Sequence, residues 1–485
     1  MGGNYEKGMY NQLMEVMARL DAVERDLHTE KDEHKEDVEH LNQKIDGLTQ
    51  ENQLLRDDNA RLKSILDHDS SNTSLPPSSD QKGSRPVNTY NGRKKTGRKS
   101  GGQKGHKGTT LTKAEAEEKI KSGYCRHVIK EIGTPSPKGY LTKYVIDLDV
   151  APLIMELHIY ADEAGRFHVP LEYRSDVTYG PNVKALSVEL YSEGVMSNDR
   201  IAAFLNAAGH GQLGLSDGSV YRFCKGFSER AQESLAHLEE RLLNQKVVLT
   251  DATVVSVNGK QNYIRNFSVG NTVVYHAMKE KTIQSMKNLP FLREFTGVLV
   301  HDHETALYHF GTGHAECNVH LLRYLKKNTE DTGHSWSGEM VSLLCSANRE
   351  RNHQIAQGLG AFPAKERAGF EERYQELIRK GRKQNVETKH RYAKKEEQTL
   401  LNRMEKYRQN HLLFLNDFGV PFDNNMSERD LRKAKNRQKM AGGFRKASGN
   451  EMYCSILSII ETLKRREMAI LENIKRLFMG TPAIF

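Results

Sequence analysis

The chain has 485 residues, of which 37% are hydrophobic and 28% charged, and its formal net charge is +9. This length allows several domains, while the lack of an apolar run of about 18 residues excludes an ordinary membrane span. The first residues lack the charged and then apolar order of a secretory signal. The five cysteines are scattered singly, which argues against a disulfide framework and for a reducing compartment.

Residues 1–66 carry a heptad repeat that predicts a coiled coil. One series of positions, seven apart, is Leu13, Leu20, Leu27, His34, Leu41, Leu48, Leu55 and Leu62. The second series, four residues further on, is Met17, Glu24, Lys31, Val38, Ile45, Asn52, Asn59 and Leu66. Asparagine in the second series favours two strands in register, at a cost in stability. We expect dimerisation through this helix; the alternative is one long helix that packs back on its own chain.

Residues 67–110 are predicted to form a flexible basic arm, because they are rich in serine, proline and glycine and cannot bury a core. No acidic residue occurs between Gln81 and Lys107, and the basic residues there equal the whole net charge. They are Lys82, Arg85, Arg93, Lys94, Lys95, Arg98, Lys99, Lys104 and Lys107. Such a tract attracts DNA phosphates through counterion release. The alternative is a linker that only keeps the chain soluble.

Two different patterns follow the arm. Apolar and polar residues alternate over residues 124–180, which predicts a small β-rich unit within residues 111–180. Residues 181–245 predict helices: a short one from Asn198 to Ala208, a glycine-containing turn, and a longer one that Ser216 caps. This order is typical of a helix-turn-helix that reads DNA, although plain helical packing produces the same pattern.

Residues 246–328 predict three strands, a helix and a fourth strand, which is the opening order of a ribonuclease-H-like fold. Asp251 lies in the first, β-branched strand, and Asp302 ends the fourth. The first strand of that fold is central and the fourth lies beside it, so the two acids are expected to meet. Their repulsion would be removed by a divalent cation. Carboxylate oxygens suit Mg²⁺ or Mn²⁺, and two ions about 4 Å apart serve both sides of a phosphoryl displacement.

A third acid is predicted at Glu428, in the first two turns of a helix that Asp423 or Asn424 caps. Basic residues follow it and predict a cationic surface that holds DNA beside the metal site. They are Arg429, Arg432, Lys433, Lys435, Arg437, Lys439 and Arg445.

Three further residues are candidates for active-site support. Cys317 and His320 form a CxxH pair, but without a second pair this is a weak metal signal and favours a structural role near the active site. Asn425 is the third candidate. His301 and His303 flank Asp302 and are expected in the core or in solvent rather than at a substrate.

Several of these segments resemble the DDE transposases of the insertion sequence 66 family. They are the arm from Ser78 to Gly108, Val300–Asp302, Cys317–Arg323, Phe422–Asn425 with Glu428 and Arg429, and Lys439–Arg445. The resemblance implies Asp251, Asp302 and Glu428 as catalytic metal ligands on a ribonuclease-H-like core. It also implies double-stranded DNA partners, namely terminal inverted repeats and target DNA, and small accessory proteins encoded alongside. Many members carry a cysteine-rich zinc unit after the arm; here only Cys125 is present, so no zinc is expected.

Together these features predict a multidomain α+β protein. In chain order the regions are a coiled coil (1–66), a basic arm (67–110), a β-rich remnant of a zinc-binding unit (111–180), a helix-turn-helix-like region (181–245), the first part of the catalytic core (246–328), a helical insertion (329–411), the last part of the core (412–447) and a C-terminal helical region (448–485). We expect a bacterial, cytoplasmic, nucleoid-associated transposase that cleaves and joins DNA with two Mg²⁺ or Mn²⁺ ions. The alternatives are a ribonuclease-H-like nuclease and a DNA-binding regulator that has lost the chemistry; the presence of all three acids counts against the regulator.

Overall fold

The structure is a computed structural model, and it describes residues 3–66, 112–123, 126–130, 141–146, 148, 150–170, 173–388 and 391–482. The described chain is a mixed α+β protein, mostly helical, with one small mixed sheet. It divides into two compact units, both discontinuous in sequence. Unit 1 comprises Met1–Asp80, Leu243–Asp251 and Pro290–Glu428, and unit 2 comprises Gln81–Leu242, Ala252–Leu289 and Arg429–Phe485.

The helices and strands are numbered in chain order. The helices are α1 (Gly3–Leu66), α2 (Lys113–Lys121), α3 (Pro181–Ser192), α4 (Asn198–Ala208), α5 (Asp217–Arg230), α6 (Gln232–Leu243), α7 (Ile283–Lys287), α8 (Pro290–Glu294), α9 (Asn318–Thr332), α10 (Ser335–Ala356), α11 (Ala364–Glu387), α12 (Arg391–Lys406), α13 (Arg408–Asn416), α14 (Asn425–Asp430), α15 (Arg432–Ala441), α16 (Ala447–Arg465) and α17 (Ile470–Phe478). The strands are β1 (Val247–Val257), β2 (Lys260–Val269), β3 (Thr272–Met278), β4 (Val298–His301) and β5 (Gly313–Glu316). Among the described residues, no helix combines the length and apolar character that a bilayer crossing requires.

The sheet has β1 at its centre, because the strand order is β3-β2-β1-β4-β5. β4 runs parallel to β1 with Leu249 opposite Val300, and β5 runs parallel to β4. β2 and β3 are antiparallel. The sequence prediction that the first strand is central and the fourth lies beside it is therefore confirmed. Asp251 and Asp302 each follow their paired residue by two positions.

α1 is one continuous helix, as the heptads predict. Leucines of the first heptad series are each more than half exposed within this chain, and those described are Leu13, Leu20, Leu27, Leu41, Leu48 and Leu55. α1 does contact α12 of the same chain, but that contact leaves the leucine series uncovered. The leucine seam stays available to another helix.

Helices α9 to α12 pack together in unit 1 around Trp336, whose ring is fully buried. Its indole N–H donates to Glu397 Oε1 at 2.6 Å, and the amides of Asn328 and Asn385 donate to the same buried carboxylate. Gly381 lies against the ring, where a Cβ atom would come within 2.8 Å of it. The described part of the predicted helical insertion is therefore helical and tightly packed.

In unit 2, α16 covers the outer edge of β3 with hydroxyl groups. The backbone N–H of Val273 donates to Thr462 Oγ1 at 3.1 Å, and that of Tyr275 donates to Ser458 Oγ at 2.8 Å. The Thr462 hydroxyl also donates to the Val273 carbonyl. A sheet edge normally exposes such groups, and here a helix satisfies them in place of another strand.

The small β-rich unit predicted over 111–180 is not confirmed. The described residues there form α2, one isolated bridge between Ala161 and Phe167, and otherwise irregular chain. Leu153 and Ile154 are 77% and 94% exposed. Alternating apolar residues form a stable strand only where a second layer buries one face, and no described residue supplies that layer here.

Candidate functional site

The two strand-borne acids lie at the same edge of the sheet in unit 1. Asp251 is partly buried inside β1, and Asp302 directly follows β4 with its side chain about one third exposed. Because Leu249 and Val300 are paired in a parallel register, each of the two strands has its acid at the carboxyl end of the paired segment. The register thus places the strands that carry the two acids side by side, while the meeting of the two carboxylates stays a prediction.

Glu428 is carried by the short helix α14, which begins as predicted. The Asp423 carboxylate accepts the backbone N–H of Asn425 at 3.0 Å, and the Glu428 N–H donates to the Asn424 carbonyl at 3.1 Å. Glu428 therefore lies in the first turn of the helix. A carboxylate at that end of a helix is favoured by the exposed backbone N–H groups.

Asn424, which sequence analysis treated only as a possible cap, fixes the start of α14 to the sheet. It is fully buried, and its amide donates to the Thr250 carbonyl of β1 at 2.9 Å. Its backbone N–H donates to Cys317 Sγ at 3.3 Å. Asn425, the predicted support residue, is instead exposed. Nothing in the two neighbouring asparagines distinguishes them in sequence.

Four side chains converge where these elements meet: Asp302, Cys317, His320 and Glu428 each place one donor atom within 4.8 Å of the others. His320 Nδ1 lies 2.6 Å from Asp302 Oδ1 and 3.7 Å from Glu428 Oε1. These three atoms are buried, yet none makes a well-aligned hydrogen bond within the described part of the chain. His320 Nδ1 and Asp302 Oδ1 still form a short ion pair, so Glu428 Oε1 is the atom of the three without a close partner among the described residues, and a buried oxygen of this kind favours a bound ligand.

The electrostatics of the cluster favour a positive charge. Burial alone would lower the pKa of His320, but its contacts with Asp302 and Cys317 raise that pKa to about 10. The Arg323 guanidinium, 3.1 Å from His320 Nε2, opposes a second proton on the ring. The two carboxylates, the thiol and the imidazole thus offer several electron-pair donors, and the positive charge beside them does not balance the two negative charges of the carboxylates. These residues fit a divalent cation.

A buried carboxylate that sequence analysis missed lies directly before Cys317. Glu316 is 1% exposed, and its two oxygens are shared among His303, Tyr308, Arg403 and His411. Arg403 Nη2 lies 2.6 Å from one oxygen and His303 Nδ1 2.7 Å from the other. Burial would raise the pKa of Glu316, but these hydrogen bonds and the Arg403 charge hold it well below its usual range.

The Glu316 network ties the Asp302 loop to the helices of unit 1. His303 follows Asp302 in sequence, whereas Arg403 lies on α12 and His411 on α13. His303 is therefore a packed residue, in keeping with the expectation of a core role. No spacing rule joins these residues, so the sequence carries no signal of the network.

The cations predicted after Glu428 divide into two groups in unit 2. Most are exposed or half-buried and form no ion pair within the described residues; these are Arg429, Arg432, Lys435, Lys439 and Arg445. Lys433 instead contacts Glu193 at 2.8 Å and Glu461 at 2.7 Å. Arg437 is buried, with its guanidinium 4.5 Å from the centre of the Tyr191 ring. The prediction of an open cationic surface is thus wrong for Lys433 and Arg437.

The predicted DNA contacts of the basic arm lie outside the described residues. They are Lys82, Arg85, Arg93, Lys94, Lys95, Arg98, Lys99, Lys104 and Lys107.

The predicted helix, turn and helix of unit 2 correspond to α4 and α5. Gly211 and Gly214 in the turn both have positive φ, and Ser216 caps α5 by accepting the Ser219 N–H at 3.1 Å. One face of α5 packs inward, and the other exposes side chains that include Tyr221, Arg222 and Lys225. A polar, partly basic helix face of this kind has the chemistry that DNA contacts require.

Two family models match parts of the chain. A model described as a family of unknown function (DUF6444) matches residues 24–112. No curated protein matched the chain. The model of the Transposase IS66 family matches residues 177–452, more than half of the chain and a range that contains Asp251, Asp302 and Glu428. The chain belongs to the IS66 family of transposases.

Proposed function

We propose that this protein is a catalytically competent transposase that binds transposon ends and performs metal-dependent DNA strand cleavage and strand transfer. The observation that best supports this proposal is that Asp302 and Glu428, which are remote in sequence, converge on one cluster of buried donor atoms. Asp251 lies at the same sheet edge. We assign these three acids as the ligands of two Mg²⁺ or Mn²⁺ ions on a ribonuclease-H-like core.

The chemistry follows from what each group holds. Divalent ions bound by these carboxylates would activate an attacking hydroxyl and stabilise the leaving oxygen of a phosphodiester. Asn424 keeps α14, and with it Glu428, against β1. Glu316 keeps the Asp302 loop in place through His303. Water and a DNA 3′-hydroxyl are equivalent nucleophiles, so one site serves both cleavage and joining.

DNA binding is proposed for three regions. The basic arm and the exposed cations around α15 supply affinity for the backbone, and the exposed face of α5 reads the terminal inverted repeats. The heptads of α1 pair two copies of the chain, which brings two DNA ends together. Target DNA and small accessory proteins complete the partners, and we place this activity at the nucleoid in the bacterial cytoplasm.

The test is strand cleavage and strand transfer on the element's own ends in Mg²⁺. The unaltered chain is compared with Asp251→Asn, Glu428→Gln and a control, Glu330→Gln, which changes an exposed acid of α9. We expect both triad variants to lose cleavage by a factor of about 10³ or more while they still bind the ends. The control should cleave normally.

The outcomes separate the alternatives. Cleavage that survives Asp251→Asn or Glu428→Gln refutes the assigned site. Cleavage without joining identifies a nuclease, and DNA binding without cleavage by the unaltered chain identifies a regulator.

A further inference from the structure

We infer that Asp302, Cys317, His320 and Glu428 form a four-ligand site for one borderline-soft divalent cation of the Zn²⁺ class. The inference shares Asp302 and Glu428 with the proposed function, but it does not depend on strand cleavage. It assigns direct ligand roles to Cys317 and His320, which the sequence places only near the active site. The sequence showed a single CxxH pair; the fold supplies the second pair as two carboxylates.

The donor set distinguishes this cation from the catalytic ones. Mg²⁺ takes oxygen ligands in octahedral geometry, whereas Zn²⁺ takes thiolate, imidazole and carboxylate in a tetrahedron. One sulfur, one nitrogen and two oxygens within 4.8 Å of one another match the tetrahedral set. A site of four protein ligands is also closed, because catalytic zinc sites keep one position for water or substrate.

Residues around the four groups hold them in place and favour the forms that bind a metal ion. Cys317 is 1% exposed, and its sulfur accepts the Asn424 N–H, a contact that stabilises a thiolate. His320 turns Nδ1 towards both carboxylates. The Glu316 network fixes the residue before Cys317. Binding would widen the short contact between His320 and Asp302 and draw the more distant donor atoms, now within 4.8 Å of one another, closer together.

Arg323 is a charged group beside the four residues that opposes the cation. Its guanidinium lies 3.1 Å from His320 Nε2, the nitrogen that must carry the proton when Nδ1 binds a metal. Because Arg323 is exposed, it can rotate into solvent when the ion binds. Its removal should therefore tighten binding.

Occupancy by this cation would block the proposed chemistry. Asp302 and Glu428 cannot serve a closed tetrahedral ion and the catalytic ions at the same time. Binding requires that the Cys317 thiol proton and the Nδ1 proton of His320 pass to solvent, and no other reactant. The site would thus make strand cleavage sensitive to zinc.

The test uses Co²⁺ as a spectroscopic substitute, added to the metal-free full-length chain. We expect one equivalent to produce the near-ultraviolet thiolate-to-cobalt band and the intense visible bands of tetrahedral cobalt, and Zn²⁺ to abolish both. Cys317→Ser should lose the thiolate band, and Arg323→Ala should lower the Kd for Zn²⁺ by about tenfold. The control Cys345→Ser changes a half-buried cysteine of α10 and should leave the spectrum unaltered.

A second measurement covers the case in which Cys317→Ser fails to fold. X-ray absorption of the zinc-loaded, unaltered chain should show one sulfur at about 2.3 Å and nitrogen or oxygen at about 2.0–2.1 Å. A shell without sulfur, or a thiolate band that persists in Cys317→Ser, overturns the inference. Magnesium-dependent cleavage is measured separately: cleavage without cobalt–thiolate binding removes only the zinc site, and the reverse result removes only the proposed function.

Discussion

Asn424 offers the sharpest test of how the candidate site is assembled, because the next residue, Asn425, is also an asparagine but is exposed and serves as a matched control. Asn424→Ala removes the side-chain hydrogen bond to Thr250, whereas Asn425→Ala removes an exposed amide. The local backbone hydrogen bonds at the start of α14 remain available in both variants. The pair therefore isolates the link between α14 and β1.

The expected loss of stability follows from the contacts. A neutral hydrogen bond contributes about 1 kcal/mol, and the space left by the buried amide adds a similar amount. Asn424 Oδ1 is buried without a hydrogen-bond partner in the described residues, so its removal offsets part of this loss. We expect a net destabilisation of about 1–2 kcal/mol, which lowers the melting temperature of a unit of this size by about 2–8 °C.

The expected effect on activity is larger than the effect on stability. A displacement of Glu428 by about 1 Å costs on the order of 10²-fold in rate, because catalysis depends on the geometry of all three acids. Melting curves and strand cleavage in Mg²⁺ are compared for the two variants and the unaltered chain, well below the melting temperature. Equal behaviour of Asn424→Ala and Asn425→Ala in both assays would refute the role given to Asn424.

Two further predictions concern stability and assembly. Arg403→Met leaves the buried Glu316 short of charge compensation and should destabilise unit 1 by about 3–5 kcal/mol at neutral pH. The pKa of Glu316 is lowered in the folded chain, so this carboxylate stabilises the fold at pH values above its unfolded-state pKa of about 4.3. The difference in melting temperature between Arg403→Met and the unaltered chain should therefore narrow as the pH falls below that value. A difference that is constant from pH 7 to 3 would contradict this. Leu55→Glu in the heptad seam should abolish dimers in sedimentation experiments, whereas Leu54→Glu, equally exposed but outside the seam (55% and 56%), should not. Loss of dimers in both variants, or in neither, would argue against the coiled coil.

The sheet edge that holds the acids was predictable from local patterns. A β-branched run around Asp251 and a short apolar strand before Asp302 indicated two neighbouring strands, and the register confirms that they are adjacent. Glu428 could not be identified from the local pattern, because a capped helix that starts with an acid in its first turns is common in proteins. Only the family resemblance marked it as a catalytic acid. The four-residue convergence with Cys317 and His320 needed the structure, since it joins three separate segments.

The errors share a physical cause: local composition does not report tertiary surroundings. Arg437 was counted as a surface cation, but aromatic rings from distant segments, among them Tyr191 and Tyr453, enclose it. Glu316 looks like an ordinary polar residue in the sequence, although its partners lie both before it, at His303, and far after it, at His411. The alternation over 124–180 predicted strands, but a local pattern does not show whether a second layer exists to bury one face.

The cover that α16 places over β3 has a consequence for synthesis. Strand β3 leaves the ribosome long before Ser458 and Thr462, which later occupy its outer edge. During that interval its backbone N–H and carbonyl groups are open to pairing with a neighbouring nascent chain. A premature stop before α16 would make this interval permanent, so truncated products should be prone to aggregation rather than simply inactive.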